Sequence, residues 1–192
     1  MAVKGNRSSR RTQRFIRQAF LELASKRPLQ SITVAEVAEL ADVSRATFYL
    51  YYHDLLELRD IIADDFADGF DREVGSRVVE GNPLDNSFAL LEAGLEYLKE
   101  NQDVLNVLLG PNGDVAFVRR LEFITRRYCL AGFESNFSGL GEGELALYSD
   151  YVISGCVGSM RQWLARGCTE TPQQMSRFLG AVILGGAERL GA

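Results

Sequence analysis

The spacing of hydrophobic and polar residues follows a helical period along nearly the whole chain. Between Thr12 and Lys26 the apolar residues recur so that they share one helical face; they are Phe15, Ile16, Ala19, Phe20 and Leu23. Pro28 ends this pattern, because proline cannot continue a helix. The stretch therefore predicts a first amphipathic helix over residues 12–26.

Two short helical segments follow, and the first has a clear start signal. Thr33 and Glu36 form a predicted capping box, in which the threonine hydroxyl accepts from the Glu36 N–H and the glutamate carboxylate accepts from the Thr33 N–H. The pattern breaks at Asp42, and a third helix starts at residue 44 or 45 and runs through Tyr51. Two short helices joined by a tight turn predict a helix-turn-helix.

The rest of the chain predicts further helices and no sheet, because strand-like alternation is scarce. The predicted spans are 54–79, 83–100, 104–109, 114–134, 145–166 and 171–184. Gly185 and Gly186 predict fraying after the last span. The expected fold class is therefore all-α with about nine helices.

The distribution of charge divides the chain in two. Residues 1–59 contain ten Lys and Arg against six Asp and Glu, a net charge of +4, and the remaining residues contain eleven against twenty, a net charge of −9. Every charged residue before Glu22 is basic. This asymmetry favours an N-terminal segment that meets a polyanion, although a disordered basic tail is an alternative explanation.

Composition excludes several classes of protein. No run of apolar residues is long enough to span a bilayer and no signal peptide is visible, so we expect a cytoplasmic protein. The three cysteines are widely spaced, which is typical of reduced thiols. The single histidine, His53, excludes multi-histidine metal sites. We expect no metal, no cofactor and no enzymatic activity, because no nucleophile–base pair or phosphate-binding glycine loop is present.

The helix-turn-helix carries the residues with the clearest chemistry. Ser44, Arg45 and Thr47 lie at the start of the third helix, which can enter the DNA major groove. Arg45 can pair bidentately with guanine. Tyr49 and Tyr51 can reach phosphates, as can the backbone N–H of Thr33, while Ala46 and Phe48 are expected to pack inward. A helical hairpin whose aromatic residues only form a core is the alternative interpretation.

Three sequence stretches in residues 12–58 resemble the DNA-binding domain of the TetR (tetracycline repressor) family of transcriptional regulators. They are Ile32-Thr33-Val34-Ala35-Glu36-Val37-Ala38, Val43-Ser44-Arg45-Ala46-Thr47-Phe48-Tyr49 and Tyr51-Tyr52-His53-Asp54. Residues 151–172 resemble, more weakly, a Firmicutes-type subtype of the family's C-terminal domain.

The resemblance implies a homodimeric repressor that binds a palindromic double-stranded operator. It implies a DNA-binding domain with a basic N-terminal arm at residues 1–58, and a ligand-binding and dimerisation domain at residues 59–192. By resemblance, Arg45, Thr47 and Tyr49 face the bases or the groove, whereas Thr33 and Tyr51 contact phosphates. A small apolar or aromatic ligand would release the DNA.

Two positions depart from the family pattern. Asp42 replaces the usual glycine of the turn, and aspartate tolerates left-handed backbone better than most residues. Leu55 replaces a lysine that contacts phosphate in the family. We expect His53 or the arm residues Arg10 and Arg11 to supply the missing contact.

The C-terminal part offers candidates for a ligand pocket and a dimer interface. The pocket candidates are aromatic and branched apolar residues: Phe88, Phe117, Leu121, Ile124, Tyr128, Tyr148 and Tyr151. The interface candidates lie on the last two helices: Val152, Cys156, Ser159, Met160, Trp163, Phe178 and Val182. Both sets can also be explained as packing within one subunit.

Two other functions remain open from the sequence. The protein can be a ligand-independent DNA-binding regulator that works with a protein partner. It can also be a helical small-molecule sensor that does not bind DNA.

Overall fold

The computed structural model describes the backbone of residues 7–77, 83–110, 115–136 and 139–190, and the side chains of these except 83–88, 115 and 128–136. Within these ranges the chain forms helices and no strand, as the sequence predicts. The helices are α1 (Arg7–Ala24), α2 (Val34–Leu40), α3 (Arg45–Tyr49), α4 (Leu55–Ser76), α5 (Pro83–Glu100), α6 (Gln102–Leu108), α7 (Val115–Asn136), α8 (Glu142–Ala165) and α9 (Pro172–Leu190), with a 3-10 turn at Leu29–Ser31. None of the helices described is long and apolar enough to cross a membrane.

The first three helices and the start of α4 enclose a small hydrophobic cluster, which we call the head. Its fully buried centre includes Ile16, Phe20, Val37, Phe48 and Leu58. The predicted apolar face of α1 is the face that packs here. However, α1 begins at Arg7, five positions earlier than predicted, because its first polar residues continue the helix in solvent without contributing to the apolar pattern.

The turn between α2 and α3 takes the form that the sequence predicts. Asp42 has a φ of 54°, so aspartate does adopt the left-handed conformation that glycine usually supplies. The N–H of Val43 donates to the Ala38 carbonyl at 2.9 Å and closes the turn. The chain then enters α3 with Ser44 as its N-cap.

Helix α4 belongs to two hydrophobic clusters. Its first turns bury Leu55, Leu58 and Ile62 in the head, and the following turns bury Phe66 and Phe70 in a larger cluster. That larger cluster, which we call the body, is built from α4 to α9. Because α4 runs unbroken from one cluster into the other, its direction determines how the head is held on the body.

The position at which α8 ends is determined by a local signal, whereas the end of α9 is determined by packing. Gly167, with a φ of 75°, ends α8 in a Schellman motif, in which the Cys168 N–H donates to the Trp163 carbonyl at 3.0 Å. Helix α9 continues to Leu190, so the expected fraying after residue 184 is wrong. Gly186 lies against the Tyr148 ring and Ala187 is buried, so packing holds the glycine-containing turn.

Candidate nucleic-acid interface

Helix α3 is a short platform that is anchored to the head by one buried side chain, Phe48. Phe48 is completely buried and packs against Tyr52 with ring centroids 5.6 Å apart. Arg45 and Tyr49 are exposed on the outer side. Ala46 is exposed as well, which corrects the expectation that it packs inward with Phe48. The short helix therefore presents nearly all of its side chains outward from a single aromatic anchor.

Two hydroxyl groups at the start of α3 are held by each other. The Ser44 Oγ accepts from the Thr47 N–H at 3.0 Å and lies 2.8 Å from the Thr47 Oγ1. This N-cap satisfies an amide that the first helical turn leaves without an internal partner. Both hydroxyls are thereby fixed in position beside Arg45, whose side chain is exposed.

The capping box at α2 is confirmed, and it changes the interpretation of Thr33. The Thr33 N–H and Oγ1 both donate to the Glu36 carboxylate, each at 2.9 Å. Arg27 donates to the same carboxylate at 2.9 Å, and this bond is the main reason that the pKa of Glu36 is lowered. The Thr33 N–H thus donates to Glu36 in this structure, and its expected use as a phosphate donor stays a prediction.

The remaining candidates for DNA contact lie at the junction between α3 and α4. The His53 side chain is 88% exposed, and its Nδ1 lies 3.2 Å from the Asp54 carboxylate. Asp54 caps α4, and the Glu57 N–H that donates to it is the main cause of its lowered pKa. Tyr51 is half-buried against the head cluster. Leu55 is only 8% exposed, so the side chain at this position points into the head.

The basic residues of α1 lie on a helix and not on a flexible arm, which corrects the description of Arg10 and Arg11 as an arm. Both are exposed, and the Arg11 guanidinium lies 5.3 Å from the centre of the Phe15 ring. Within the described residues neither is paired with a carboxylate. Arg17 differs, since it pairs with Asp65 on α4.

The candidates for a ligand pocket separate into three groups. Phe117, Leu121 and Ile124 are buried in the body cluster, as is Tyr148, whose hydroxyl donates to the Ile183 carbonyl. Tyr151 is 69% exposed on the surface of α8, so its placement in a buried pocket is wrong. The side chains of Phe88 and Tyr128 lie outside the described residues.

A groove of about 540 Å³ lies elsewhere, between α1 and α6. Its lining residues come from α1, from Ser25 directly after it, and from α6: Arg14, Arg17, Gln18, Leu21, Glu22, Ser25, Asp103 and Asn106. The sequence contained no signal for it, because the two helices are far apart along the chain.

The interface candidates also separate by burial. Val152, Cys156 and Trp163 are buried within the subunit, and the Trp163 Nε1 donates to the Glu170 carbonyl at 3.1 Å. Their assignment to a dimer surface is therefore wrong, because these side chains face the core of their own subunit. Met160 is half-buried against the same core, and Ser159 is also half-buried.

Large apolar side chains do remain exposed on the last two helices. Phe178 and Val182 on α9 are 59% and 49% exposed, and Leu147 and Tyr151 on α8 are 74% and 69% exposed. Space is open above Gly155 and Gly158, which continue the α8 face at helical spacing. We call these residues the α8–α9 face.

Comparisons with known proteins agree with this arrangement. Residues 85–185 match the TetR family model described as a transcriptional regulator C-terminal region. An uncharacterized HTH-type transcriptional regulator of Bacillus subtilis (strain 168), YxbF, is 22% identical over 170 residues, which are 88% of this chain. The chain spans 43% of the length of that relative.

Two solved structures share the fold. A TetR transcriptional regulator from Streptococcus agalactiae 2603V superposes with a TM-score of 0.67 at 20% identity, over 92% of this chain and 96% of the other. The fatty acid degradation regulator FadR from Bacillus halodurans superposes with a TM-score of 0.73 at 15% identity, over 96% and 98%. With the family model matching more than half of its residues, the chain belongs to the TetR family of transcriptional regulators.

Proposed function

We propose that this chain acts as a homodimer that binds a palindromic operator, represses transcription and is released by a small ligand. The observation that carries the proposal is the α3 platform. Phe48 is buried beneath it, while Arg45 and Tyr49 are exposed above it beside the fixed hydroxyls of Ser44 and Thr47. A short exposed helix with an unobstructed arginine at its start suits the major groove of DNA.

The proposed roles follow from the chemistry of each side chain. Arg45 donates to guanine, and Thr47 offers a hydroxyl and a methyl group to the neighbouring base. Tyr49 contacts a base or the groove wall. Arg10 and Arg11, which lack carboxylate partners in the described structure, neutralise phosphates, and the exposed His53 ring donates a hydrogen bond to the DNA backbone. Tyr51, which is half-buried, contacts a phosphate through its hydroxyl group.

Substitution of Arg45 tests the proposal directly. Arg45→Ala should weaken binding to the operator by about 1–3 kcal/mol and relax the preference at one base pair, because a bidentate contact is lost. Arg119→Ala removes another exposed arginine, from α7, and serves as the matched control. The measurement is titration of the DNA upstream of the gene, with random DNA as competitor.

The salt dependence of the same titration separates base reading from phosphate contact. If a dimer makes about 6–10 phosphate contacts, its affinity should fall about 10³- to 10⁵-fold between 50 and 200 mM salt. Replacing Arg10 and Arg11 with alanine should reduce that slope and weaken binding to all sequences alike. Complete absence of DNA binding at low salt would contradict the proposal and leave the sensor without DNA binding as the remaining function.

The body is the proposed site at which a bound ligand causes release of the DNA. Phe66 packs against Tyr97 and Phe117 with ring centroids 5.1 and 5.5 Å apart, so an aromatic cluster lies beside α4. An apolar or aromatic molecule inserted there would displace α4 and, with it, the head. Adding a protein-free filtrate of cell extract to the purified protein–DNA complex tests this part. Dissociation supports a ligand, whereas a requirement for the protein fraction supports a regulator that works with a protein partner.

A further inference from the structure

We propose that the adjacent carboxylates Asp64 and Asp65 on α4 set the angle between head and body, and thereby the half-site spacing that the dimer reads. This inference rests on the proposed function. Asp64 and Asp65 are neighbours in sequence, so their side chains leave α4 about 100° apart. Each is held by an arginine from a different part of the molecule.

The head-side contact comes from α1. Arg17 pairs with Asp65, and it lies near Tyr52, which is buried beside Phe48 under α3. The Arg17 side chain is only 32% exposed. The Arg17 guanidinium thus connects the residues packed beneath α3 to the middle of α4.

The body-side contacts come from α7. Arg120 pairs with Asp64, and it also pairs with Asp68 at 2.9 Å. Further along both helices, Arg127 pairs with Asp71. The carboxylates recur at intervals of four and three on α4, and the two arginines lie seven residues apart on α7. Such spacing places every member on facing helical stripes, so the pairs align the two helices along their length.

Alignment, and not stability, is the effect expected from these contacts. Exposed ion pairs contribute little to the free energy of unfolding, but several arranged in a row favour one relative orientation. The part of α4 from Asp64 to Leu55 is a lever of about 14 Å at 1.5 Å per residue. A tilt of about 15° moves its head end by about 3.5 Å, which is close to the step of one base pair.

The experiment is a selection of binding sites from random double-stranded DNA by the full chain. The wild-type protein should enrich one half-site repeated as a palindrome with a fixed spacer. Arg120→Asp should enrich the same half-site with a spacer that is changed or broadened by a base pair, so that preference for the original spacer falls about tenfold. Combining Arg120→Asp with Asp64→Arg and Asp68→Arg should restore the original spacer.

Two further variants serve as a control and as an independent test. Arg126→Asp makes the same charge change on α7 but breaks a pair with Asp150 on α8, so its spacer should be that of the wild type. Asp65→Asn removes the head-side pair at an exposed carboxylate and should act like Arg120→Asp.

An unchanged spacer in both Arg120→Asp and Asp65→Asn would overturn the inference. So would loss of helicity in both, because the pairs would then be needed for folding and not for orientation. If the wild-type protein enriches no sequence, the proposed function fails, and this inference fails with it.

Discussion

The role of the side chain at position 55 depends on the residues that surround it. The family pattern places a phosphate-binding lysine there, and the sequence suggested only that one contact was missing. In the structure Leu55 is 8% exposed in the head core, whereas Leu56 beside it is 53% exposed. A charged group introduced at 55 would start among the apolar side chains of the head, so burying it would cost free energy.

The adjacent leucines give a matched pair of substitutions. Leu55→Ala should lower the free energy of unfolding by about 2–4 kcal/mol, because it leaves a cavity in the head. Leu56→Ala should change it by less than about 0.5 kcal/mol. Leu55→Lys should also destabilise the head and lower operator affinity. Denaturation monitored by circular dichroism measures the first two effects, and equal losses in the two alanine variants would contradict the assignment.

The Asp54 cap makes a further prediction that depends on pH. Its pKa is lowered in the folded state, mainly because the Glu57 N–H donates to it and then because of His53. A lowered folded pKa stabilises the protein above the unfolded value of about 3.9, and this stabilisation is lost as the pH falls through the folded value. Asp54→Asn keeps a capping oxygen without the charge.

Thermal unfolding of the wild-type protein and Asp54→Asn at several pH values tests this prediction. The wild type should melt at the higher temperature at pH 7, and the difference should shrink once the pH falls below about 4. A difference that is constant over the whole range would show that the charge of Asp54 is not involved.

At the scale of elements, α4 is shaped by a contact that the helical pattern did not predict. Gly69 lies directly under the Tyr97 hydroxyl, which donates to the Phe66 carbonyl at 3.2 Å. A Cβ at position 69 would overlap that hydroxyl and come within 3.0 Å of the ring. Glycine is therefore needed for the close approach of α5, although it weakens the helix itself.

Gly69→Ala should destabilise the protein by about 1–2 kcal/mol, although alanine has an intrinsic helix preference of about 1 kcal/mol over glycine. Combining it with Tyr97→Phe should recover part of the loss, because the nearest atom is removed. Denaturant titration of the three variants measures both effects. A Gly69→Ala protein more stable than the wild type would contradict this account of the α4–α5 crossing.

At the scale of the whole molecule, the charge split follows the division into head and body, and exposed apolar residues lie on α9 of the body. The basic segment coincides with the head, and the acidic remainder coincides with the body. Phe178 and Val182 leave an apolar surface on α9 that one subunit does not cover. A second copy of the chain is the proposed occupant of this α8–α9 face.

Phe178→Asp should therefore shift the protein towards a monomer and weaken operator binding. Phe123→Asp makes the same change at a phenylalanine on α7 that is 69% exposed, and it should leave the oligomeric state unchanged. Sedimentation velocity over a range of concentrations measures both. Equal behaviour of the two variants would place the interface elsewhere.

The features that the sequence determined by itself are local ones. The capping pair Thr33–Glu36 is formed as predicted, and Thr171–Gln174 forms in the same way, because each pair joins residues only three positions apart. The helical period of apolar residues likewise determined the all-α fold. The α2–α3 turn followed as well, since the tolerance of Asp42 for left-handed backbone is a property of the residue.

Only the tertiary structure decided which side of each helix meets which neighbour. Asp64 and Asp65 look like solvated charges in the sequence, but their arginine partners lie 56 and 48 residues away. Trp163 and Tyr151 share α8 with similar apolar character, and packing buries the first and exposes the second. The reason is that helical periodicity identifies a face, whereas the choice of partner depends on contacts between segments distant along the chain.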